Sequence, residues 1–123
     1  DVNKPHEIAC EIISRGLIKL GIMNDISNLR EFYMHGTGHW LGLDVHDVGA
    51  KKIDNSFRKF KVGMVTTVEP GIYIRKDDKI DPKYWNIGIR IEDDVLVTID
   101  GNHVLSEAAI KNVDDIEYLM SQS

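Results

Sequence analysis

The stretch NIGIRIEDDVLVTI, residues 86–99, decides the fold class. Apolar and polar residues alternate along it, so Ile87, Ile89 and Ile91 point to one side of an extended chain and Gly88, Arg90 and Glu92 to the other. The turn signal Asp100-Gly101-Asn102 follows and leads into a return run, which predicts a hairpin from about Val95 to Leu105. Upstream, MVTTVE (64–69) is rich in β-branched residues, follows Gly63 and stops at Pro70, so it reads as a strand. GIYIR (71–75) continues as a second extended piece, and the polar segment 76–85, which carries Pro82, reads as a loop.

Helices flank these strands. From Asn3 to Leu20 the apolar residues Ile8, Ile12, Ile13, Leu17 and Leu20 recur at helical spacing. Asn3 can cap the start, Pro5 is tolerated in the first turn, and Gly21 can end the helix in a left-handed conformation. Gly16 weakens it slightly. Residues 22–31 read as a connection with a short helical turn. Near the end of the chain, NVDDIEYLM (112–120) starts at a cap, Asn112 or Asp114, and places Ile116, Leu119 and Met120 on one helical face. Helix, strands, helix predicts an α+β fold, an antiparallel-rich sheet with helices covering one face.

The 123 residues suit one domain. A net charge of −5 argues against a nucleic-acid partner, which normally meets a basic stripe. No apolar run approaches the roughly 18 to 20 residues of a membrane span. Cys10 is the only cysteine, so no internal disulfide is expected and a reducing cytoplasm is the expected compartment. No signal-peptide pattern is visible. The chain begins without methionine, which we read as a sign of a longer parent.

The chemistry concentrates in HGTGHWLGLDVHDVG (35–49), which holds His35, His39 and His46 among four glycines. The glycines predict a tightly folded loop with short extended pieces. His35 and His39 imitate the helical H-x-x-x-H of zinc proteases, but Gly36 stands where those have glutamate, and the glycines oppose a helix. Each histidine alone also fits an ordinary hydrogen-bonded structural role. Glu69 closes an apolar strand immediately before Pro-Gly. Arg90 and Glu92 share a strand face: on a central strand they must be paired or hold a metal, and on an edge strand they are a solvated face. His39, Glu69 and Glu92 together are mixed nitrogen and oxygen donors suited to Mn²⁺, Co²⁺, Fe²⁺ or Zn²⁺.

HGTGHWLGLDVHDVG, VEPGIYI and NIGIRIEDDVLVT, in this order, closely resemble the motifs of the Xaa-Pro aminopeptidases (aminopeptidase P), metallopeptidases of the pita-bread fold. ISRGLIKLGIM resembles the helix before them, so the likeness runs over nearly the whole chain. Xaa-Pro dipeptidases share the histidine and VEPG motifs, but KYWNIGIRIEDD is more like aminopeptidase P. The resemblance implies that His39, Glu69 and Glu92 ligate metal, with Glu92 bridging two divalent ions, Mn²⁺ by first expectation. It implies that Glu69 also carries protons as acid or base, that His35 and His46 contact the substrate and its tetrahedral intermediate, and that Val45 and Arg90 border the pocket for proline. Two further aspartate ligands lie upstream in the family, and nothing here resembles their segment. Asp44 and Asp47 belong to the downstream motif and do not replace them. The chain therefore resembles the C-terminal half of the catalytic domain. The implied activity is hydrolysis of the N-terminal X-Pro bond by a metal-bridging hydroxide, with this chain alone inactive and holding little or no metal. The implied partners are a peptide with proline second and the N-terminal half of the domain. The sheet edge and apolar surface that a half-domain exposes further predict pairing with a second copy of the chain. The rival reading is a pita-bread module that binds peptides or proteins without catalysis.

Overall fold

The computed structural model describes residues 1–122, so residue 123 of the expected single domain lies outside the described residues. Helix α1 runs Lys4–Lys19. Gly21, at φ 70°, turns the chain out of it in a left-handed conformation. The Ile22 amide then bonds the Leu17 carbonyl and the Gly21 amide the Ile18 carbonyl, both at 3.0 Å, so two carbonyls at the helix end are satisfied. Asn3 is the N-terminal flanking residue as expected, but its side chain bonds Glu7 rather than a free helix amide. A 3₁₀ turn, Ile26–Asn28, and the short helix α2, Leu29–Phe32, fill the expected connection.

A small hairpin follows, β1 (Lys52–Ile53) and β2 (Ser56–Phe57). No alternation announces it. Asp54 and Asn55 make its turn, both at positive φ, the backbone twist that two-residue hairpins favour. Then come β3 (Val65–Val68), β4 (Gly71–Ile74), β5 (Ile87–Arg90), β6 (Asp93–Thr98), β7 (Gly101–Val104) and α3 (Val113–Met120).

The sheet differs from the expectation in one respect that matters for the site. The alternating run 86–99 is not one strand. It breaks after Arg90, and its two parts join different partners: β5 pairs with β4 alone, while β6 lies between β3 and β7. All these pairings are antiparallel. β3 and β4 break at the same level, around Glu69 and Pro70, where proline has no amide hydrogen for a ladder. The register is nevertheless shared, with Val68 opposite Asp93 on one side of the gap and Gly71 opposite Arg90 on the other. Carrying it through the gap sets Glu69 opposite Glu92 and Pro70 opposite Ile91, and the Ile91 amide indeed reaches the Pro70 carbonyl at 3.4 Å.

The apolar core lies between α1, α2 and the β4–β5 pair. Ile13, Leu17, Ile22, Met23, Leu29, Phe32, Tyr33, Ile74 and Ile80 are buried there. Much of the predicted apolar patterning faces outward instead. Ile8 and Ile12 of α1 and Leu20 just after it are exposed, as are Ile89 and Ile91 and the α3 face of Ile116, Leu119 and Met120. An open apolar groove of about 660 Å³ runs along α1, between Ile8 and Ile12 on one wall and Phe60, Val68 and Pro70 on the other. The accessible surface is 9122 Å² for a mass of 14.0 kDa, against about 6,700 Å² for a folded monomer of that mass. Among the described residues, no helix is long and apolar enough to cross a membrane.

Candidate metal centre

The histidine stretch forms an edge beside β3. The Glu69 amide bonds the Thr37 carbonyl at 2.7 Å, the Thr67 amide the His39 carbonyl at 3.0 Å, and the Leu41 amide the Val65 carbonyl at 3.2 Å. The glycines permit this approach. A Cβ on Gly38 would lie 2.0 Å from the Thr67 carbonyl oxygen, so only glycine fits. Three separate segments thereby meet at the gap in the sheet: the edge segment carrying His39, the end of β3 carrying Glu69, and the β5–β6 link carrying Glu92.

Donor atoms of His39, Glu69 and Glu92 lie within 4.8 Å of one another, with Glu69 buried, His39 partly buried and Glu92 exposed. The orientation of His39 is fixed. Its Nδ1 is 2.9 Å from the Trp40 carbonyl, which can only accept, so Nδ1 carries a hydrogen and Nε2 is the nitrogen left to face a ligand. That nitrogen faces Glu69 Oε1 at 3.4 Å. In the neutral ring this nitrogen and the two carboxylates are acceptors only, so a proton or a metal ion between them relieves their repulsion. The donor set therefore fits a divalent cation of mixed nitrogen and oxygen preference.

The rest of the site is a hydrogen-bonded chain. Glu69 is 8% exposed. Its Oε1 accepts from the Thr67 hydroxyl at 3.1 Å and its Oε2 from Arg90 Nη1 at 3.3 Å. Arg90 Nε also donates to the Tyr73 hydroxyl at 2.8 Å, a bond that raises the arginine's pKa. His35 donates from Nδ1 to the Gly36 carbonyl at 2.7 Å, and its Nε2 lies 3.0 Å from the Tyr73 hydroxyl. Hydrogen bonds thus link Arg90 through Tyr73 to His35. The His46 ring lies against His39, with centroids 4.3 Å apart.

The model of metallopeptidase family M24 matches residues 2–99. The chain belongs to metallopeptidase family M24. It is 46% identical over 127 residues to the Xaa-Pro aminopeptidase of Haemophilus influenzae, covering 98% of this chain and 29% of that protein. It is 49% identical over 116 residues to the Xaa-Pro aminopeptidase of Escherichia coli, covering 89% of this chain and 26% of that protein. Among solved structures, the aminopeptidase PepP of Pseudomonas aeruginosa superposes with a TM-score of 0.88 at 45% identity, over 95% of this chain and 28% of that one. Aminopeptidase P from E. coli with the inhibitor Pro-Leu gives 0.81 at 46% identity, over 95% and 28%. The α+β expectation, part of a pita-bread fold, is borne out. This M24 chain spans under a third of the length of the relatives it matches.

Within this M24 segment, His35, His39, His46, Glu69, Arg90 and Glu92 come together around the sheet gap. Val45 does not join them and is 68% exposed. The central-or-edge question for Arg90 resolves as an edge strand, β5, whose arginine is paired all the same. Asp47 is committed elsewhere, because its carboxylate accepts from the Leu43 and Val48 amides within its own loop. Two residues escaped the sequence reading. Thr67 shares a face of β3 with Glu69, and period-two alternation along MVTTVE already holds that signal. Tyr73 sits between two glycines on one face of the β4–β5 pair. Gly71 has no room for a Cβ, which would lie 2.7 Å from the Tyr73 hydroxyl, and Gly88 lies directly opposite. Glycines flanking an aromatic on one sheet face are a legible sign that its ring needs the space.

Proposed function

We propose that the complete protein is a metallo-aminopeptidase that removes the first residue from peptides with proline second. In this reading residues 1–123 form the C-terminal part of its catalytic domain. The observation that carries it is the convergence of His39, Glu69 and Glu92 within 4.8 Å. A binding module has no use for that geometry. The relatives named Xaa-Pro aminopeptidase support the substrate class, as does the complex of the E. coli enzyme with Pro-Leu.

His39, Glu69 and Glu92 would hold divalent metal, two ions with Mn²⁺ by preference, the remaining ligands being supplied from upstream. Bound there, divalent ions lower the pKa of water toward neutrality. Glu69 takes the proton of the attacking water and delivers it to the leaving proline nitrogen. That nitrogen is a tertiary amide with no hydrogen of its own, so a placed donor matters more than usual. His35 and His46 donate to the developing oxyanion, a role worth about 2.7 to 4 kcal/mol per donor. Arg90 fixes the Glu69 carboxylate and borders the proline pocket; Val45, exposed in this segment, would border it once the upstream half is in place. The lone thiol of Cys10 fits a cytoplasmic setting.

The test is release of the first residue from an Ala-Pro-Ala peptide after metal stripping and reconstitution. The complete protein is expected to cleave in a metal-dependent way. Residues 1–123 alone are expected to be inactive and to bind one Mn²⁺ weakly or none, because members of a catalytic unit fail together. Robust turnover by this chain alone would show that its ligand set is complete without the upstream aspartates.

The isolated chain is also expected to associate. Its excess surface, the groove along α1 and the unpaired edges of the β4–β5 pair invite a cover. In the complete protein the N-terminal half supplies that cover, and in the isolated chain a second copy takes its place. Light scattering over a dilution series is expected to show dimers that dissociate on dilution. A monomer at high concentration sinks this reading.

A further inference from the structure

A second polar group lies behind the metal centre, on the side facing α1. Thr37 is 4% exposed and Tyr33 3% exposed, and their hydroxyls are in hydrogen-bond contact. His6 of α1 approaches the same Thr37 hydroxyl, with Nδ1 2.8 Å away. Its Nε2 lies 3.6 Å from the Cys10 sulfur, one helical turn on. Burial raises the Tyr33 pKa, so at neutral pH its hydroxyl keeps its hydrogen and can donate. One consistent chain then runs from Tyr33 to Thr37, from Thr37 to His6 Nδ1, and from His6 Nε2 to the thiol.

Thr37 is placed to transmit whatever holds it. It stands two residues from His35 and two from His39, and its carbonyl accepts the Glu69 amide at 2.7 Å. The Tyr33 ring also meets the His35 ring edge-on, with centroids 5.0 Å apart. The β3 side holds the edge segment through its backbone pairing and through the Thr66 and Thr67 hydroxyls at the His39 backbone. The Thr37 side chain adds a hold from the α1 side. Neither His6 nor Tyr33 touches a donor atom of the metal centre, and no contact with substrate is needed to account for them.

We infer that His6 is a positioning residue for the metal centre, acting through Thr37 to fix the segment that carries His39. The inference rests on the metallopeptidase reading and adds a role for α1 to it. Groups that orient a ligand from behind govern affinity because a loose ligand must be ordered when the ion binds.

The test uses the complete protein, with Mn²⁺ affinity by calorimetry and the melting temperature of the metal-free form. Thr37→Val keeps the shape and removes the hydroxyl, and His6→Phe keeps a ring and removes both nitrogens. Each is expected to weaken Mn²⁺ binding about tenfold. Thr37→Ser restores the hydroxyl and is expected to restore the affinity. Variants that melt lower while binding Mn²⁺ as tightly as the parent would show that the group only stabilises the fold, and would overturn the inference. A parent protein that binds no divalent ion would sink the metal reading itself, and this role with it. Should Thr37→Val fail to fold, Tyr33→Phe removes the other anchor and is expected to weaken binding in the same direction; unchanged affinity there also overturns the inference.

Discussion

Glu69→Gln in the complete protein is expected to lower release of the first residue from an X-Pro peptide by about 10² to 10⁴-fold, measured at saturating Mn²⁺. Glutamine has nearly the same shape and keeps one oxygen, so it can still accept from Thr67 or from Arg90. It cannot take up and release a proton. It also places an amide NH₂ against either the Thr67 hydroxyl or the Arg90 guanidinium, where a carboxylate oxygen now accepts. Saturation with metal separates the proton-carrying role from the ligand role, since weakened binding is then overcome. Burial strengthens the expectation: Glu69 is 8% exposed, so solvent water is a poor substitute for its proton transfer. Turnover within a few-fold of the parent would show that protons travel by another group.

The second large effect separates two histidines whose rings are in contact. His39→Ala removes the nitrogen that faces Glu69 and is expected to weaken Mn²⁺ binding by at least about 100-fold, the upper end of what loss of a mere orienting partner does. His46→Ala removes a ring that packs on His39 but, among the described residues, belongs to no donor cluster, and its metal content is expected to stay near that of the parent. Its turnover is expected to fall about 10² to 10³-fold, the usual consequence of losing one oxyanion donor. Metal analysis and peptide assays on the same preparations check both expectations. Equal loss of metal in both variants would overturn the division of roles.

Much of the site was legible because its residues are chemically conspicuous in short motifs. Histidines among glycines, a glutamate before Pro-Gly, and an arginine and a glutamate on one strand face are visible without coordinates. The Tyr33–Thr37–His6 group was not. Tyrosine, threonine and a lone helical histidine are common residues with ordinary packing roles, and nothing in their spacing reports a hydrogen bond across 31 positions of chain, as between His6 and Thr37. The sequence also offered Val45 as a pocket residue, while this segment leaves it facing solvent.

Local preferences in the chain determined the turn out of α1 at Gly21, the strands at 65–68, 87–90 and 93–98, and the hairpin of β6 and β7, whose turn residues are Ile99 and Asp100. Each depends on backbone freedom, β-branching or turn chemistry within a few residues. The tertiary structure alone decided that the alternating run divides after Arg90, with β5 joining β4 and β6 joining β3 and β7. Alternation fixes which side of a strand a residue faces, but not which strand lies beside it, because that partner comes from distant sequence. The same limit applies to burial. Ile89, Ile91, Ile116 and Leu119 have the pattern of core residues and lie exposed in this chain. An apolar face records that something should cover it, and only packing in three dimensions shows whether the chain supplies the cover itself.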